Sequence, residues 1–298
     1  MNFKRRVFLS IQNPELLKGQ RLAVQEEVIH QVERLGFQPE VFFHLGTAAA
    51  LAWSLPNVLE VMRRCVGAVV LASRRWTVSS PTGEFHFASE YAQIEGAMAT
   101  ALRLPLLLIA ERGLVDRGIT WTGAGHPILF MPADADVSWL SSEAFTHRFS
   151  VWQDQITERS DVFLGYSSKA RSTATAIHLF LKERLGLNVR NWELDFAAGG
   201  TILDEIENAS RLCSGGIFLF TKDDVMAGDE MRAAPRDNVV FEAGYFAAAK
   251  GRDRVLIIRE EGAKMPADLG GNIYLTLPDK DDTRSIESGI RDFVERRL

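Results

Sequence analysis

The sequence predicts an α/β protein built from two tandem doubly wound domains, each containing a parallel sheet. Three observations favour this fold. Short apolar runs alternate with amphipathic helical stretches, an order typical of parallel strands joined by right-handed helical crossovers. The length of 298 residues suits two domains of about 150 residues each. Similar blocks also recur in the two halves of the chain, which indicates an internal duplication.

The recurring blocks appear in the same order in both halves. "LPNVLEVMRRCVGAVVL" (55–71) aligns without a gap with "LDEIENASRLCSGGIFL" (203–219), and five of the seventeen positions are identical. "GHPILFMPADAD" (125–136) aligns with "GNIYLTLPDKDD" (271–282), and both halves open with Val-Phe-Leu. Chance similarity between apolar strands is the alternative explanation. We predict domains at 1–155 and 156–298.

Composition excludes several classes of protein. A net charge of −5 gives no electrostatic reason to expect nucleic-acid binding. Two cysteines provide no disulfide framework, and the six histidines lack metal-ligand spacing, so no metal is expected. The apolar run near the N-terminus is too short for a signal peptide, and no stretch has the length of a membrane helix. We therefore expect a soluble cytoplasmic protein.

In the second half, strand and helix patterns alternate. Its opening run, "DVFLGY", reads as a strand, and the next stretch reads as a helix ended by Gly186. "GGIFLFT" is apolar throughout, as expected for a strand covered on both faces. The remaining predicted elements are, in order, "LNVRNWEL", "TILDEIENASRLC", the helix that contains Glu242, "RVLIIR", "NIYLTL" and a final amphipathic helix.

The stretch "APRDNVVFEAGYFAAAKG" predicts a helix whose apolar face contains a carboxylate. Glu242 falls on the same face as Val239, Tyr245 and Phe246, since residues three and four apart are helix neighbours. We predict that Asp237 or Asn238 caps this helix, which places Glu242 near its positive end. Apolar surroundings would strengthen the interaction of the carboxylate with a developing cation. The spacing alone leaves a structural and a catalytic role open.

Ligands of open parallel sheets bind beyond the carboxyl ends of the strands. "GYSSK" follows the first strand of the second half and offers hydroxyls and amides suited to an anion. "DFAAGGTI" follows the second strand, and the long polar stretch "TKDDVMAGDEMRAAPRDN" follows the third. No glycine-rich dinucleotide fingerprint or phosphate loop is present. A nucleotide would therefore bind in another way.

Residues 161 to 277 resemble the TIR-like nucleotide-binding domains of bacterial antiphage effectors, of the kind found in cyclic-nucleotide-activated defence systems. The matching motifs are "VFLGYSS", "NWELDFAAGGTILDEI", "IFLFTKDD", "APRDNVVFEAGYF", "GRDRVLII" and "MPADLGGNIYLTL". The resemblance implies a flavodoxin-like (TIR-like) fold and cleavage of NAD+ between nicotinamide and ribose. NAD+ would be a substrate, and no cofactor is implied.

The same resemblance implies roles for individual residues. Glu242 is the expected catalytic residue. The expected substrate-binding residues are Gly165, Tyr166, Ser167, Ser168, Trp192, Phe196, Gly200, Thr201, Arg236, Asp237 and Asn238. Because sites of this family are completed by assembly, the resemblance also implies a homo-oligomer.

The first half carries a related but altered pattern. Glu95 follows Cys65 by thirty residues, and Glu242 follows Cys213 by twenty-nine. "SEYAQIEGAMATALRLPLLLI" resembles both the TIR glutamate helix and the corresponding helix of nucleoside deoxyribosyltransferases, but "FHFASEYAQ" stands where "APRDNVVF" would be. We therefore predict a diverged domain that senses a ligand or mediates assembly. A second active site at Glu95 and a purely structural role are the alternatives.

These inferences predict an NAD+ glycohydrolase of antiphage defence. Its gate would be a nucleotide signal, such as a cyclic nucleotide, or oligomerisation through the N-terminal domain. The alternatives are an enzyme similar to nucleoside deoxyribosyltransferases and a non-catalytic nucleotide sensor or scaffold.

Overall fold

The structure is a computed structural model, and it describes residues 3–191, 201–226, 229–269, 271 and 273–298. The chain divides into two compact units. One is Lys4–Glu158, and the other is Arg159–Leu298 together with Phe3. No helix among the described residues is long and apolar enough to cross a membrane.

The Lys4–Glu158 unit is built on a five-stranded parallel sheet with the strand order β2-β1-β3-β6-β7. Its strands are β1 (Arg6–Ser10), β2 (Gln38–Glu40), β3 (Cys65–Ala72), β6 (Leu106–Glu111) and β7 (Ile128–Met131). An antiparallel hairpin of β4 (Arg74–Ser80) and β5 (Gly83–Ala88) follows β3. The helices are α1 (Gln20–Arg34), α2 (Leu55–Met62), α3 (Glu90–Ala101) and α4 (Glu143–Thr157).

Serine residues begin three of these helices. Ser54, Ser89 and Ser142 each accept a hydrogen bond from the backbone N–H three residues later. Such caps satisfy one of the free N–H groups at a helix start and are worth about 1 kcal/mol each. They fix where α2, α3 and α4 begin, and Ser89 therefore sets the position of the helix that contains Glu95.

The Arg159–Leu298 unit has the parallel strand order β14-β13-β10-β8-β9. The strands are β8 (Ser160–Gly165), β9 (Val189–Asn191), β10 (Cys213–Phe220), β13 (Val255–Glu260) and β14 (Ile273–Leu277). The hairpin of β11 (Asp224–Met226) and β12 (Asp229–Ala234) follows β10. The helices are α5 (Arg171–Leu179), α6 (Ile202–Leu212), α7 (Asp237–Lys250) and α8 (Glu287–Arg297). A π-helical turn, Phe180–Arg184, extends α5.

Both sheets confirm the predicted doubly wound α/β class. In each unit the second strand lies at one edge beside the first, and the order then continues through the three later parallel strands. This order is common to many doubly wound folds, so the internal duplication stays a prediction.

The two hairpins were not predicted. We treated "TKDDVMAGDEMRAAPRDN" as a polar connection, but it contains β11 and β12. These strands are short and rich in charged residues, so they lack the apolar alternation by which strands are recognised. In the first unit the corresponding segment forms β4 and β5, and it also separates the third parallel strand from the glutamate helix.

An aromatic cluster anchors α7 on the sheet of the second unit. The ring of Phe246 stacks on Phe163 with centroids 5.1 Å apart, and it meets Phe218 edge-on at 5.3 Å. Phe163 belongs to β8 and Phe218 to β10, so one side chain of α7 contacts both central strands. Each such aromatic pair adds about 0.5–1.5 kcal/mol beyond area burial. The cluster holds α7 against the sheet at Phe246, one turn beyond Glu242.

Candidate active site

Glu242 lies on the buried face of α7. The buried residues of this helix are Val239, Glu242, Ala243 and Phe246, which follow the three- and four-residue spacing of one helix face. The Glu242 side chain is thus carried into the protein by its apolar neighbours, and only 6% of the residue is exposed. A solvated surface role for this carboxylate is excluded.

The predicted cap of α7 was wrong. The N-cap residue is Arg236, and no side chain forms a capping hydrogen bond there. Asp237 is already the first helical residue, and the Arg236 guanidinium pairs with Asp224 at 3.3 Å. The Asp237 charge still lies in the first turn, where it interacts favourably with the helix dipole. Glu242 follows one turn later, as expected.

The carboxyl group of Glu242 has one oxygen, Oε2, that is buried and has no hydrogen-bond partner among the described residues. Burial raises the pKa of Glu242 to about 7, because desolvation disfavours the charged form. A buried polar atom without a partner costs about 1–3 kcal/mol. Such a group is typical of a site that a ligand completes.

Gly165, the last residue of β8, provides space beside this carboxyl group. A Cβ atom added to Gly165 would lie 2.9 Å from Glu242 Oε2 and 2.5 Å from Cδ1 of Phe218. Both distances are shorter than van der Waals contact. The close approach of α7 to the end of β8 therefore requires glycine at this position.

A cavity of about 370 Å³ opens beside Glu242 at the carboxyl ends of β8 and β10. Its lining combines two carboxyl groups, hydroxyl groups, two cations and apolar side chains. The residues are Tyr166, Ser167, Ser168, Lys169, Ile202, Asp223, Arg236, Asn238, Val239 and Glu242. The site lies where doubly wound sheets bind ligands, and its volume is in the range of small-molecule pockets.

Asp223 holds together the side of the cavity that carries Lys169 and Arg236, which we call its cation side. Its carboxylate accepts hydrogen bonds from the Thr221 hydroxyl at 2.9 Å and from the Arg236 backbone N–H at 3.3 Å. The ammonium group of Lys169 donates to the Asp223 backbone carbonyl. These bonds hold the segment after β10 against the segment after β8. They place two cationic side chains on one pocket.

Comparison with known proteins gives a family match for the part of the chain that contains this cavity. Residues 161–279 match the family model described as "CAP12/Pycsar effector protein, TIR domain". This match identifies residues 161–279 as a TIR domain. The Glu242 cavity lies entirely within this TIR domain.

Curated relatives match the chain over part of their length. CD-NTase-associated protein 12 from Flavobacterium daejeonense is 33% identical over 127 residues, which cover 42% of this chain and 39% of the relative. The Pycsar effector protein BcPycTIR from Burkholderia cepacia is 33% identical over 134 residues, covering 43% of this chain and 44% of the relative. An uncharacterized Escherichia coli K12 protein, YuaY, is 39% identical over 80 residues, covering 26% and 27% respectively. The chain spans less than half the length of each.

The TIR domain brings six of the predicted substrate-binding residues together around Glu242. Five of them line the cavity with Glu242, namely Tyr166, Ser167, Ser168, Arg236 and Asn238. Gly165 lies against the Glu242 carboxyl group instead of lining the cavity. The buried Ser167 hydroxyl, like Glu242 Oε2, has no partner among the described residues. Trp192, Phe196 and Gly200 lie outside the residues that the structure describes.

Two further predicted residues have other positions. Thr201 is the N-cap of α6, where its hydroxyl accepts from the Asp204 N–H at 3.2 Å and donates to the Asp204 carboxylate at 2.7 Å. Asp237 is exposed at the start of α7. Neither residue is among those that line the cavity in the described part of the chain.

Four lining residues were missed by the sequence analysis: Lys169, Ile202, Asp223 and Val239. Lys169 directly follows the two serines of "GYSSK", and Asp223 lies within "TKDD", so proximity to predicted residues was an available signal. Ile202 and Val239 follow helical apolar patterns, which in sequence look like core positions.

Glu95 occupies a separate site in the Lys4–Glu158 unit. It is buried in α3, and the indole N–H of Trp53 donates to Glu95 Oε1 at 2.7 Å. Burial raises the pKa of Glu95, while hydrogen bonds from Ser10 and Trp53 act in the opposite direction. Unlike Glu242, Glu95 thus has donors that hold its carboxyl group in place.

Proposed function

We propose that the TIR domain is an NAD+ glycohydrolase that breaks the bond between nicotinamide and ribose. The observation that supports this most strongly is Glu242, a buried carboxyl group with an oxygen that lacks a partner beside a polar cavity. The cation formed on the ribose during bond cleavage is the partner that such a carboxylate fits. NAD+ is the substrate in this proposal, and no redox step takes place.

One carboxylate suffices because of the leaving group. The pyridinium ring of NAD+ is already cationic, and the electron pair of the broken C–N bond neutralises it. Nicotinamide then departs as a neutral molecule, so the second, protonated carboxyl group of most glycosidases is not needed. Ionised Glu242 stabilises or traps the oxocarbenium-like sugar, and water adds to give ADP-ribose and a proton.

The cation side of the cavity suits the pyrophosphate of NAD+. Lys169 and Arg236 carry positive charges, and the Ser167 and Ser168 hydroxyls can donate hydrogen bonds to phosphate oxygens. The apolar side chains of Ile202 and Val239 complete the lining. Low local dielectric strengthens the interaction of Glu242 with the developing cation.

We further propose that the protein is an antiphage effector whose TIR domain acts after assembly. Two relatives bear the names CD-NTase-associated protein and Pycsar effector protein, which supports a nucleotide signal. Large apolar side chains are exposed on the TIR domain, including Ile202 at 61% and Phe241 at 53%. Because Ile202 lines the cavity, a second copy that covers it would also enclose the active site.

The test is release of nicotinamide from NAD+ by the purified chain, alone and with a panel of cyclic mono- and oligonucleotides. We expect release by the wild type under at least one condition and a loss of at least about a thousandfold in Glu242→Gln. Glu295→Gln, the same change at an exposed position of α8, is the matched control.

Each outcome of this test has a consequence. Release by Glu242→Gln at the wild-type rate would overturn the assignment of Glu242. NAD+ binding without turnover under every condition would favour a sensor instead of an enzyme. Transfer of a sugar between nucleobases, with NAD+ left intact, would favour an activity similar to that of nucleoside deoxyribosyltransferases.

A further inference from the structure

The Lys4–Glu158 unit contains a cavity of its own, of about 430 Å³. It opens beside Glu95, beyond the carboxyl end of β1, in the region where doubly wound sheets bind ligands. The lining includes the aromatic residues Phe42, Trp53 and Tyr91 and the polar residues Gln12 and Arg75. An apolar cavity with a few convergent polar groups is the usual form of a small-molecule site.

Glu95 is fixed in position by its hydrogen bonds. Trp53 donates its indole N–H to Oε1 at 2.7 Å, and the Ser10 hydroxyl also hydrogen-bonds to the carboxyl group. A carboxylate accepts about four hydrogen bonds, so two donors leave it able to accept more from a ligand in the cavity. The arrangement suits a residue that holds N–H or O–H donors of a ligand.

The position of Ser10 explains why Glu95 and Glu242 differ. Alignment of "RVFLS" with "DVFLG" places Ser10 where the TIR domain has Gly165. Ser10 hydrogen-bonds to Glu95, whereas Gly165 leaves Glu242 Oε2 without a described partner. The anchored carboxyl group is suited to binding, and the open one is suited to reaction.

Aromatic side chains give this cavity walls for a flat ring. The rings of Trp53 and Tyr91 meet edge-on with centroids 4.8 Å apart, and Phe42 packs against Phe8 at 6.2 Å. Tyr91 is 48% exposed and Phe43 is 41% exposed, although both line the cavity. Bases of any identity stack favourably on aromatic side chains, because every base has a π-face. A partly exposed aromatic surface of this kind fits a heterocycle.

The charge of the lining limits the ligand further. Arg75 is half-buried, and its guanidinium lies 4.9 Å above the Trp76 ring, which restrains it. It is the single Lys or Arg among the described lining residues, whereas the TIR cavity has two. One guanidinium matches one phosphate group. The buried Glu95 carboxyl group disfavours a fatty acid or another anion at the inner end of the site.

We propose that this cavity binds a nucleoside monophosphate, with the base among Phe42, Trp53 and Tyr91. Base or ribose donors bond to Glu95, and the phosphate pairs with Arg75. The inference concerns only the Lys4–Glu158 unit and holds whether or not the TIR domain cleaves NAD+. In the proposed effector, a nucleotide bound in this cavity would be the activating signal.

The test is titration calorimetry on the full chain carrying Glu242→Gln, which removes the proposed turnover. The probes are the four nucleoside 5′-monophosphates, the four 3′,5′-cyclic monophosphates, the parent nucleosides and inorganic phosphate. We expect one site per chain for at least one monophosphate, and Glu95→Gln should weaken its binding by at least tenfold. Arg75→Gln should weaken the monophosphate by a similar factor and leave the parent nucleoside within twofold.

The matched control is Glu26→Gln, the same change at an exposed position of α1, which should bind as the parent does. If Glu95→Gln does not fold, as judged by circular dichroism, the test is the affinity of Arg75→Gln for the monophosphate compared with its affinity for the parent nucleoside. Binding that survives both variants and is displaced by NAD+ would assign the ligand to the TIR cavity and overturn the proposal. Absence of binding by every probe at millimolar concentration would also overturn it.

Discussion

Gly165 and Glu242 meet at the carboxyl end of β8, where a Cβ on residue 165 would lie 2.9 Å from Glu242 Oε2. The two residues are far apart in sequence, and the contact forms because α7 packs closely on β8 and β10 through Phe246. The glycine determines whether the carboxyl oxygen is free to meet a ligand.

Gly165→Ala should therefore impair both the site and the fold. The added methyl group meets Glu242 Oε2 and the ring of Phe218, and overpacking of this kind costs about 1–3 kcal/mol. A displaced carboxylate should lower kcat/KM about a hundredfold, measured at a temperature where the variant remains folded. Gly244→Ala is the matched control, since a Cβ there meets no atom within 4 Å. It should stabilise α7 by about 0.5–1 kcal/mol and retain activity. Equal activity of Gly165→Ala and wild type would contradict the proposed geometry.

The pH dependence of NAD+ cleavage should follow ionisation of Glu242. Because burial raises the pKa of Glu242 to about 7, kcat/KM should rise with pH and level off above about 7. In the complex the cationic nicotinamide ring stabilises the carboxylate, so the midpoint of the kcat profile should lie at lower pH. Initial rates between pH 5 and 9 measure both midpoints. A rate that falls with rising pH across this range would show that the protonated form of Glu242 is the active one.

The free energy of unfolding should also depend on ionisation of Glu242, but it should fall with rising pH where kcat/KM rises. Below the unfolded-state pKa of 4.5, Glu242 is protonated in both states and carries no ionisation cost. Between 4.5 and about 7 the folded state retains a proton that the unfolded state has lost, so the free energy of unfolding decreases as pH rises. Above about 7 the full cost remains, at most about 3 kcal/mol.

Glu242→Gln removes this ionisation. The variant should be more stable than wild type at pH 8 by up to about 3 kcal/mol and nearly equal at pH 4.5, as measured by urea unfolding at both pH values. The same stability difference at the two pH values would show that ionisation of Glu242 does not lower the free energy of unfolding.

The cations of the TIR cavity should act on substrate binding. Arg236→Gln and Lys169→Gln each remove one charge-assisted contact with the pyrophosphate, so KM for NAD+ should rise about tenfold while kcat changes less. Lys264→Gln, at an exposed position, provides the control. Michaelis–Menten kinetics of nicotinamide release separate the two constants. A lower kcat at unchanged KM would show instead that these side chains stabilise the transition state and not the bound substrate.

Both thiols should be unreactive in the folded protein. Cys65 and Cys213 are buried, and burial raises the pKa of Cys213 to about 12. Because the thiolate is the reactive form, an aromatic disulfide reagent at pH 8 should modify neither cysteine until the chain is unfolded, and then both. Rapid modification of one thiol under native conditions would show that its unit opens locally.

The predicted fold rests on periodicity, which is a local property of the chain. "GGIFLFT" is apolar throughout because β10 is covered on both faces, and the spacing of Val239, Glu242 and Phe246 reflects one face of α7. Patterns of this kind determine which elements form and in what order. The short, charged strands β11 and β12 lack such a pattern, so that hairpin was missed.

The sequence by itself determined the alternation of strands and helices, and its resemblance to TIR domains singled out Glu242, whose role the spacing alone left open. The tertiary structure decided what the side chains meet. It placed Asp223 against Lys169 and Arg236, moved the cap of α7 to Arg236, and gave Glu95 two donors where Glu242 Oε2 has no described partner. Such contacts join segments far apart in the chain. Burial, pKa and access to a ligand therefore depend on packing that no local pattern encodes.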